Sequence, residues 1–213
     1  MKKSLFLAAL LLFAVSGFAD TIVNNFNGYS DYWHPFGYPD TSTYGELFTA
    51  PSGVNNLSSF SFYMGSPYVA GNIVTGAYIA TWTGSNAGTL LYSSPQITYD
   101  NAGDEQITVN NANVAVTPGS KYVMFLSVSN YYGQSSGQAY VSQGGTNPNL
   151  NGFVYFNNEN NFNELFTNAW SGPLSPDWAV NLDFNNGVPE PSSLLMLGTG
   201  LLGGLGVLRR KLF

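Results

Sequence analysis

Between Asp20 and Gly187 the chain carries eleven carboxylates and very little else that could do acid–base chemistry. They are Asp20, Asp31, Asp40, Glu46, Asp100, Asp104, Glu105, Glu159, Glu164, Asp177 and Asp183. His34 is the sole histidine and cysteine is absent. A nucleophile–histidine–acid triad would have to use His34. Its setting, Tyr32-Trp33-His34-Pro35-Phe36, reads as an aromatic turn. Zinc held by nitrogen and sulfur ligands is not expected from one His and no Cys. The glycine fingerprints of nucleotide sites are missing too. A glycoside hydrolase needs two carboxylates flanking a sugar. No pair here sits in a recognisable catalytic context, and Glu46 and Asp183 both read as strand residues facing solvent. The expectation is a non-catalytic protein, with a carboxylate-pair glycoside hydrolase as the alternative.

Two binding chemistries are better supplied. Asp100-Asn101-Ala102-Gly103-Asp104-Glu105 offers hard oxygen ligands in a glycine-containing turn. Asp100, Asp104 and Glu105 are therefore calcium candidates, without the spacing of an EF-hand loop. A polar hairpin turn is the favoured reading of these residues, and no cofactor is required. Sugar sites pair aromatic platforms with Asn, Asp and Gln hydrogen-bonders. Such neighbourhoods occur at Tyr29 to Tyr38, at Tyr131-Tyr132-Gly133-Gln134 and at Phe153 to Phe162. Binding of extracellular polysaccharide is the leading molecular expectation, and a calcium-stabilised adhesin is a further alternative.

The elements that must position these residues read as strands. Phe60, Phe62 and Met64 alternate with Ser59, Ser61 and Tyr63; Trp178, Val180, Leu182 and Phe184 alternate with Ala179, Asn181 and Asp183. Period two marks one-sided strands. Ile73 to Trp82 is a longer β-branched and aromatic run, and Lys121 to Ser129 is apolar on both faces, as in a strand covered on both sides. Weaker strands are expected at Ile22–Phe26, Tyr44–Thr49, Leu90–Ser93, Gln96–Tyr99, Glu105–Val109, Gln138–Ser142 and Gly152–Phe156. Turn signals fall at Pro51-Ser52-Gly53, Gly65-Ser66-Pro67, Gly84-Ser85-Asn86, Asn101 to Asp104 and Pro118-Gly119. Gly144 to Asn163, rich in Asn and Gly, reads as a long loop. No helical periodicity is convincing between residues 20 and 187. The fold class is all-β: one antiparallel β-sandwich, jelly-roll-like, with a barrel as the alternative.

Charge is segregated along the chain. Of the six Lys and Arg residues, Lys2, Lys3, Arg209, Arg210 and Lys211 are at the ends, which leaves Lys121 in the body. Eleven acids against one base give the region 20–187 a formal charge of −10, compared with −6 for the whole chain. Nucleic-acid binding needs Lys and Arg to neutralise phosphates, so no nucleic-acid partner is expected. The ends are of another kind. Lys2-Lys3, the apolar run Leu5 to Val15 and Gly17-Phe18-Ala19 form a secretory signal peptide over residues 1–19, with cleavage expected between Ala19 and Asp20. At the other end, Val188-Pro189-Glu190-Pro191 precedes the apolar stretch Leu194 to Leu208 and the basic cluster Arg209-Arg210-Lys211. Counted from Pro191, 18 residues make a helix of about 27 Å, just short of a ~30 Å hydrocarbon core. The basic cluster would stay cytoplasmic and the body would lie outside.

This tripartite tail, residues 188–213, resembles the PEP-CTERM sorting signal of Gram-negative bacteria, down to the Pro-Glu-Pro triplet. The resemblance implies recognition by a membrane enzyme of the exosortase type and removal of the tail near that triplet. It also implies transient anchoring in the inner membrane, followed by release to the cell surface or an extracellular polysaccharide matrix. A permanent C-terminal anchor is the alternative. The intervening region, 20–187, resembles β-sandwich ectodomains attached to such tails, through the strand–turn patterns at Leu57–Tyr63, Ala77–Trp82 and Thr117–Val123. Those patterns carry no site residues.

Overall fold

The computed structural model describes residues 20–186. The expected signal peptide, residues 1–19 with Ala19, lies outside these residues, as do Val188, Pro189, Glu190, Pro191 and the basic cluster Arg209-Arg210-Lys211.

Fourteen strands build the domain. They are β1 Thr21–Asn24, β2 Asp31–Phe36, β3 Thr43–Thr49, β4 Asn56–Val69, β5 Ile73–Trp82, β6 Ala87–Ser93 and β7 Ile97–Tyr99. β8 Glu105–Val109, β9 Val114–Ala115, β10 Lys121–Ser127, β11 Gln138–Ser142, β12 Leu150–Phe156, β13 Ser171–Leu174 and β14 Val180–Asn185 complete the set. The helical content is two short 3-10 turns, Ser129–Tyr131 and Phe162–Phe166.

The strands form two seven-stranded sheets. In the first, β4 is the trunk. Its first half pairs with β14 and its second half with β11, while β8 and β9 also add to it; β1 lies beyond β14 and β2 beyond β11. The second sheet runs β13-β12-β3-β10-β5-β6, with β7 also on β5. Every strand pairing is antiparallel, and the chain passes from one sheet to the other again and again. This is the expected β-sandwich, with the strand exchange that a jelly-roll-like path requires.

Alternation explains the core. Phe60, Phe62 and Met64 of β4, Leu182 and Phe184 of β14, Phe48 of β3 and Met124 of β10 are all sealed between the sheets, with Trp178 among them. The outer face of the second sheet is covered as well. Leu47, Tyr78, Val123, Phe125 and Val154 form a second apolar cluster with Leu165 and Trp170, carried by the segment that follows β12. β10 is therefore covered on both sides, as its two apolar faces require.

Three sequence expectations are corrected. Gly65-Ser66-Pro67 is not a turn, because β4 runs through it to Val69. β8 leaves β4 at Met64 and the β11 register shifts around Pro67, so proline's missing N–H removes little pairing there. Gly144 to Asn163 is not one long loop, since β12 joins β3 to β13 within it. The residues around His34 form β2 rather than a turn.

The strand register defines two poles. Thr21 is opposite Phe184, so the first and last described residues leave the same end. This terminal pole also holds the turns around Ser52 and Thr117, tied in by Asn55 N–H to the Asn185 carbonyl at 3.3 Å and Val116 N–H to the Asn55 carbonyl at 2.9 Å. At the distal pole β4 ends and β11 begins. There the Asn101 side-chain amide donates to the carbonyls of Val69 (2.9 Å) and Gln138 (3.0 Å), which brings in the turn at 100–104.

Candidate functional site

Most of the aromatic side chains in the domain are core. The informative ones lie on the outer face of the first sheet. Tyr63 follows Phe62, so alternation turns it to the other side of β4, where it is nonetheless buried and belongs to the main apolar cluster. Phe26 stacks on its ring at 3.9 Å and 10°. Tyr29 stands edge-on to Phe26 at 4.9 Å and to Tyr63 at 6.0 Å, and is 40% exposed. Nearer the distal pole the same face carries Tyr68, edge-on to Tyr140 at 5.4 Å. Beside that pole Tyr38 meets Tyr132 edge-on at 4.8 Å.

Acids and hydroxyls adjoin this aromatic group. The Tyr29 hydroxyl is held above its ordinary pKa by burial, then by the charges of Asp104 and Glu105. Tyr63 is raised by burial, then by Tyr29 and Asp183. Asp183 is oriented by two donors, the Ser59 hydroxyl at 2.6 Å and the Asn181 amide at 3.0 Å. Ser61 and Thr108 exchange a hydrogen bond at 3.0 Å one row further along the face. The result is a ring cluster next to a ladder of fixed donors and acceptors. Such a surface can bind a polyhydroxylated ligand through ring stacking and hydrogen bonds.

The structure treats the sequence-expected residues unequally. It joins two of the three sugar-type neighbourhoods, since Tyr38 of the first packs on Tyr132 of the second. The third is not a platform. Phe153 is core, and Phe156 and Phe162 pack into the second apolar cluster. In the acidic turn, the Asp100 carboxylate accepts the Ala102 N–H at 3.2 Å, closing a local turn. Glu105 is raised by burial and then by Asp100. Among the described residues no three His, Cys, Asp or Glu side chains are grouped to hold a metal ion. Side-chain placement of His34 lies outside the description.

Glu46 departs most from expectation. It does not face solvent but is fully buried on β3, in step with core residues Tyr44 and Phe48. Its Oε1 accepts the Gly152 N–H at 3.1 Å and its Oε2 accepts the Trp178 N–H at 2.9 Å. Gly152 adopts φ +109 at a register shift in β12, a conformation that glycine tolerates and other residues rarely do. Burial drives the Glu46 pKa well up, Asp177 drives it further, and the Trp178 and Gly152 donors oppose this. Burial also raises Asp177. Two neighbouring carboxyls with raised pKa values resemble a hydrolytic pair in chemistry. Glu46 is sealed from solvent, however, so this pair does not present both groups to a glycosidic oxygen.

Sequence reasoning passed over Phe26, Tyr63, Tyr68 and Tyr140. The signal was present for Tyr63, whose place in the Ser59, Ser61, Tyr63 series marks the outward face. For Phe26 there was no local signal, because its partner is 37 positions away in the chain.

Residues 187–211 match the PEP-CTERM protein-sorting motif. No curated protein matches the chain. The motif implies export through the Gram-negative cell envelope and processing by an exosortase-type enzyme. Among the described residues no helix is long and apolar enough to cross a membrane; the tail lies outside them.

Proposed function

We propose that the exported domain is a non-catalytic surface or matrix module that binds extracellular polysaccharide on the outer face of its first sheet. One observation supports this above the rest. The Phe26–Tyr29–Tyr63 cluster lies beside Asp183, Asn181, Ser59, Ser61 and Thr108; Tyr63 and Ser61 are buried, and the accessible part of the face is exposed Tyr29 and Thr108 with half-buried Phe26, Ser59, Asn181 and Asp183. Such a face suits a neutral or cation-bridged glycan better than a polyanion, given the formal charge of −10 over residues 20–187. Delivery by the sorting signal would place the domain where such polymers are.

The test starts from protein recovered from its host by cell fraction. The expected species in the matrix or medium begins at Asp20 and ends near Pro191, measured by intact mass. An uncut chain ending at Phe213 and confined to the membrane would make the tail a permanent anchor and remove the matrix assignment. Affinity electrophoresis of the processed protein against the host's own polysaccharide should show retardation. Tyr29→Ala, at an exposed ring, is expected to weaken it about tenfold, equivalent to ~1.4 kcal/mol. Equal retardation of Tyr29→Ala and the parent would refute binding at this face. Release of reducing ends from the polysaccharide would instead favour the hydrolase alternative.

A further inference from the structure

The register of β1 and β14 has a consequence for the unprocessed chain. Asp20 immediately precedes β1, and the described chain ends one residue after β14, at Asn186. Thr21 and Phe184 are direct partners, so the two exits lie on adjacent strands, about 5 Å apart. From Asn186 to Pro189 the chain can extend at most ~11 Å. Both apolar end segments, Leu5 to Val15 and Leu194 to Leu208, are thus tethered to the same pole. Charged groups lie at both poles, with Asp20 before β1 and Asp183 opposite Ile22 at the terminal one. Lys121, the sole cation between residues 20 and 187, opens β10 at the terminal pole, near Thr49. Asp100, Asp104 and Glu105 lie at the distal end, and Asp40 and Glu159 belong to segments that leave distal strand ends.

We propose that, before processing, the domain stands on its terminal pole against the phospholipid headgroups, with the tyrosine-rich acidic pole directed outward. This rests on the sorting reading of the tail. The turns of the terminal pole are polar and short, with Ser52, Asn55 and Thr117 exposed. They suit a hydrated headgroup layer and offer no apolar wedge. Lys121 is offset at this pole by Asp20 and Asp183, so the short tether, rather than charge, selects the orientation. β4 alone has 14 residues, which at ~3.3 Å each raises the distal pole roughly 40 Å above the terminal one. A ligand on the distal half of the first sheet would therefore be met clear of the membrane while the tail is intact.

The chain has no cysteine, so single labels can be placed without background. Ser52→Cys and Thr117→Cys report the terminal pole; Ala102→Cys and Gln134→Cys report the distal one, and all four sites are exposed. The full chain would be reconstituted into phosphatidylethanolamine–phosphatidylglycerol vesicles containing a headgroup-level doxyl lipid. Each variant would carry an environment-sensitive fluorophore. Orientation on the terminal pole predicts several-fold greater quenching at 52 and 117 than at 102 and 134. Equal quenching at all four, or greater quenching at 102 and 134, in chain that floats with the vesicles overturns the orientation alone. Chain that does not float overturns the orientation together with the membrane-tether reading.

Discussion

Replacing Glu46 by glutamine should change both the stability of the domain and its dependence on pH. Glu46 accepts two backbone N–H groups, from Gly152 and Trp178, in a site without solvent. Glutamine keeps one accepting oxygen and points an NH2 group at the other N–H. One buried donor then loses its partner, at a cost of about 1–3 kcal/mol. For a domain of this size each kcal/mol lowers Tm by roughly 2–4 °C, so the expected fall is about 2–12 °C at acid pH. The pH dependence follows from the direction of the shift. The folded-state pKa of Glu46 is raised by burial and by Asp177, so the folded domain holds a proton that the unfolded chain releases near pH ~4.3. The associated stabilisation is complete below that value and is lost as pH rises toward the folded pKa. Wild-type stability should accordingly decline from pH 4 upward, with Asp177 and Glu105 adding slopes of the same sign. Glu46→Gln cannot titrate, so its decline should be shallower and the two curves should converge with rising pH. Urea unfolding at several pH values measures this. Parallel curves for the two proteins would refute the assignment of a buried, proton-holding Glu46.

Two further perturbations test the packing. Asn25→Ala removes a side chain that donates to the Trp178 carbonyl at 2.9 Å and accepts the Val180 N–H at 2.8 Å; unfolding free energy should fall by about 2–4 kcal/mol, as two buried backbone groups lose partners. Trp170→Ala should cost about 3–5 kcal/mol in the same assay by opening the second apolar cluster next to Phe125 and Trp82, while leaving binding at the first sheet's outer face unchanged.

Much of the fold was legible because period two is a strong signal when a strand is buried on one face. β5 and β11 have the expected bounds, and β4 and β14 contain the expected alternating residues. Strands interrupted by proline were harder. β2 contains Pro35, in a stretch that reads as an aromatic turn; β13, which contains Gly172-Pro173, carries no strand pattern; and β9 is two residues long. Glu46 set two signals against each other. Its charge argued for solvent, and its position between Tyr44 and Phe48 argued for the core. Position prevailed because a bulge at Gly152 and the backbone before β14 supply two donors from distant segments. Those donors are 106 and 132 positions away, beyond the reach of any local pattern. The aromatic site was half legible for the same reason: outward Tyr63 can be read from β4, but Phe26 reaches it through the fold.

The two sheets are not equivalent surfaces, and this difference is what makes the binding proposal specific. The outer face of the second sheet is filled by Leu165, Trp170 and their neighbours, which converts it into a second core. That arrangement gives a cysteine-free chain additional apolar burial without disulfides. On the first sheet the Ser59–Asp183 and Ser61–Thr108 rows satisfy one another across strands, with Thr108 exposed, Ser59 and Asp183 half-buried and Ser61 buried. A polar face already satisfied in this way need not be buried for stability and can exchange its outer hydrogen bonds with a ligand. The aromatic cluster adjoins those rows and lies toward the distal acids, away from the pole that receives both chain ends. Under the proposed orientation, the same topology that brings the termini together would leave the exposed part of this face accessible both with the tail intact and after its removal.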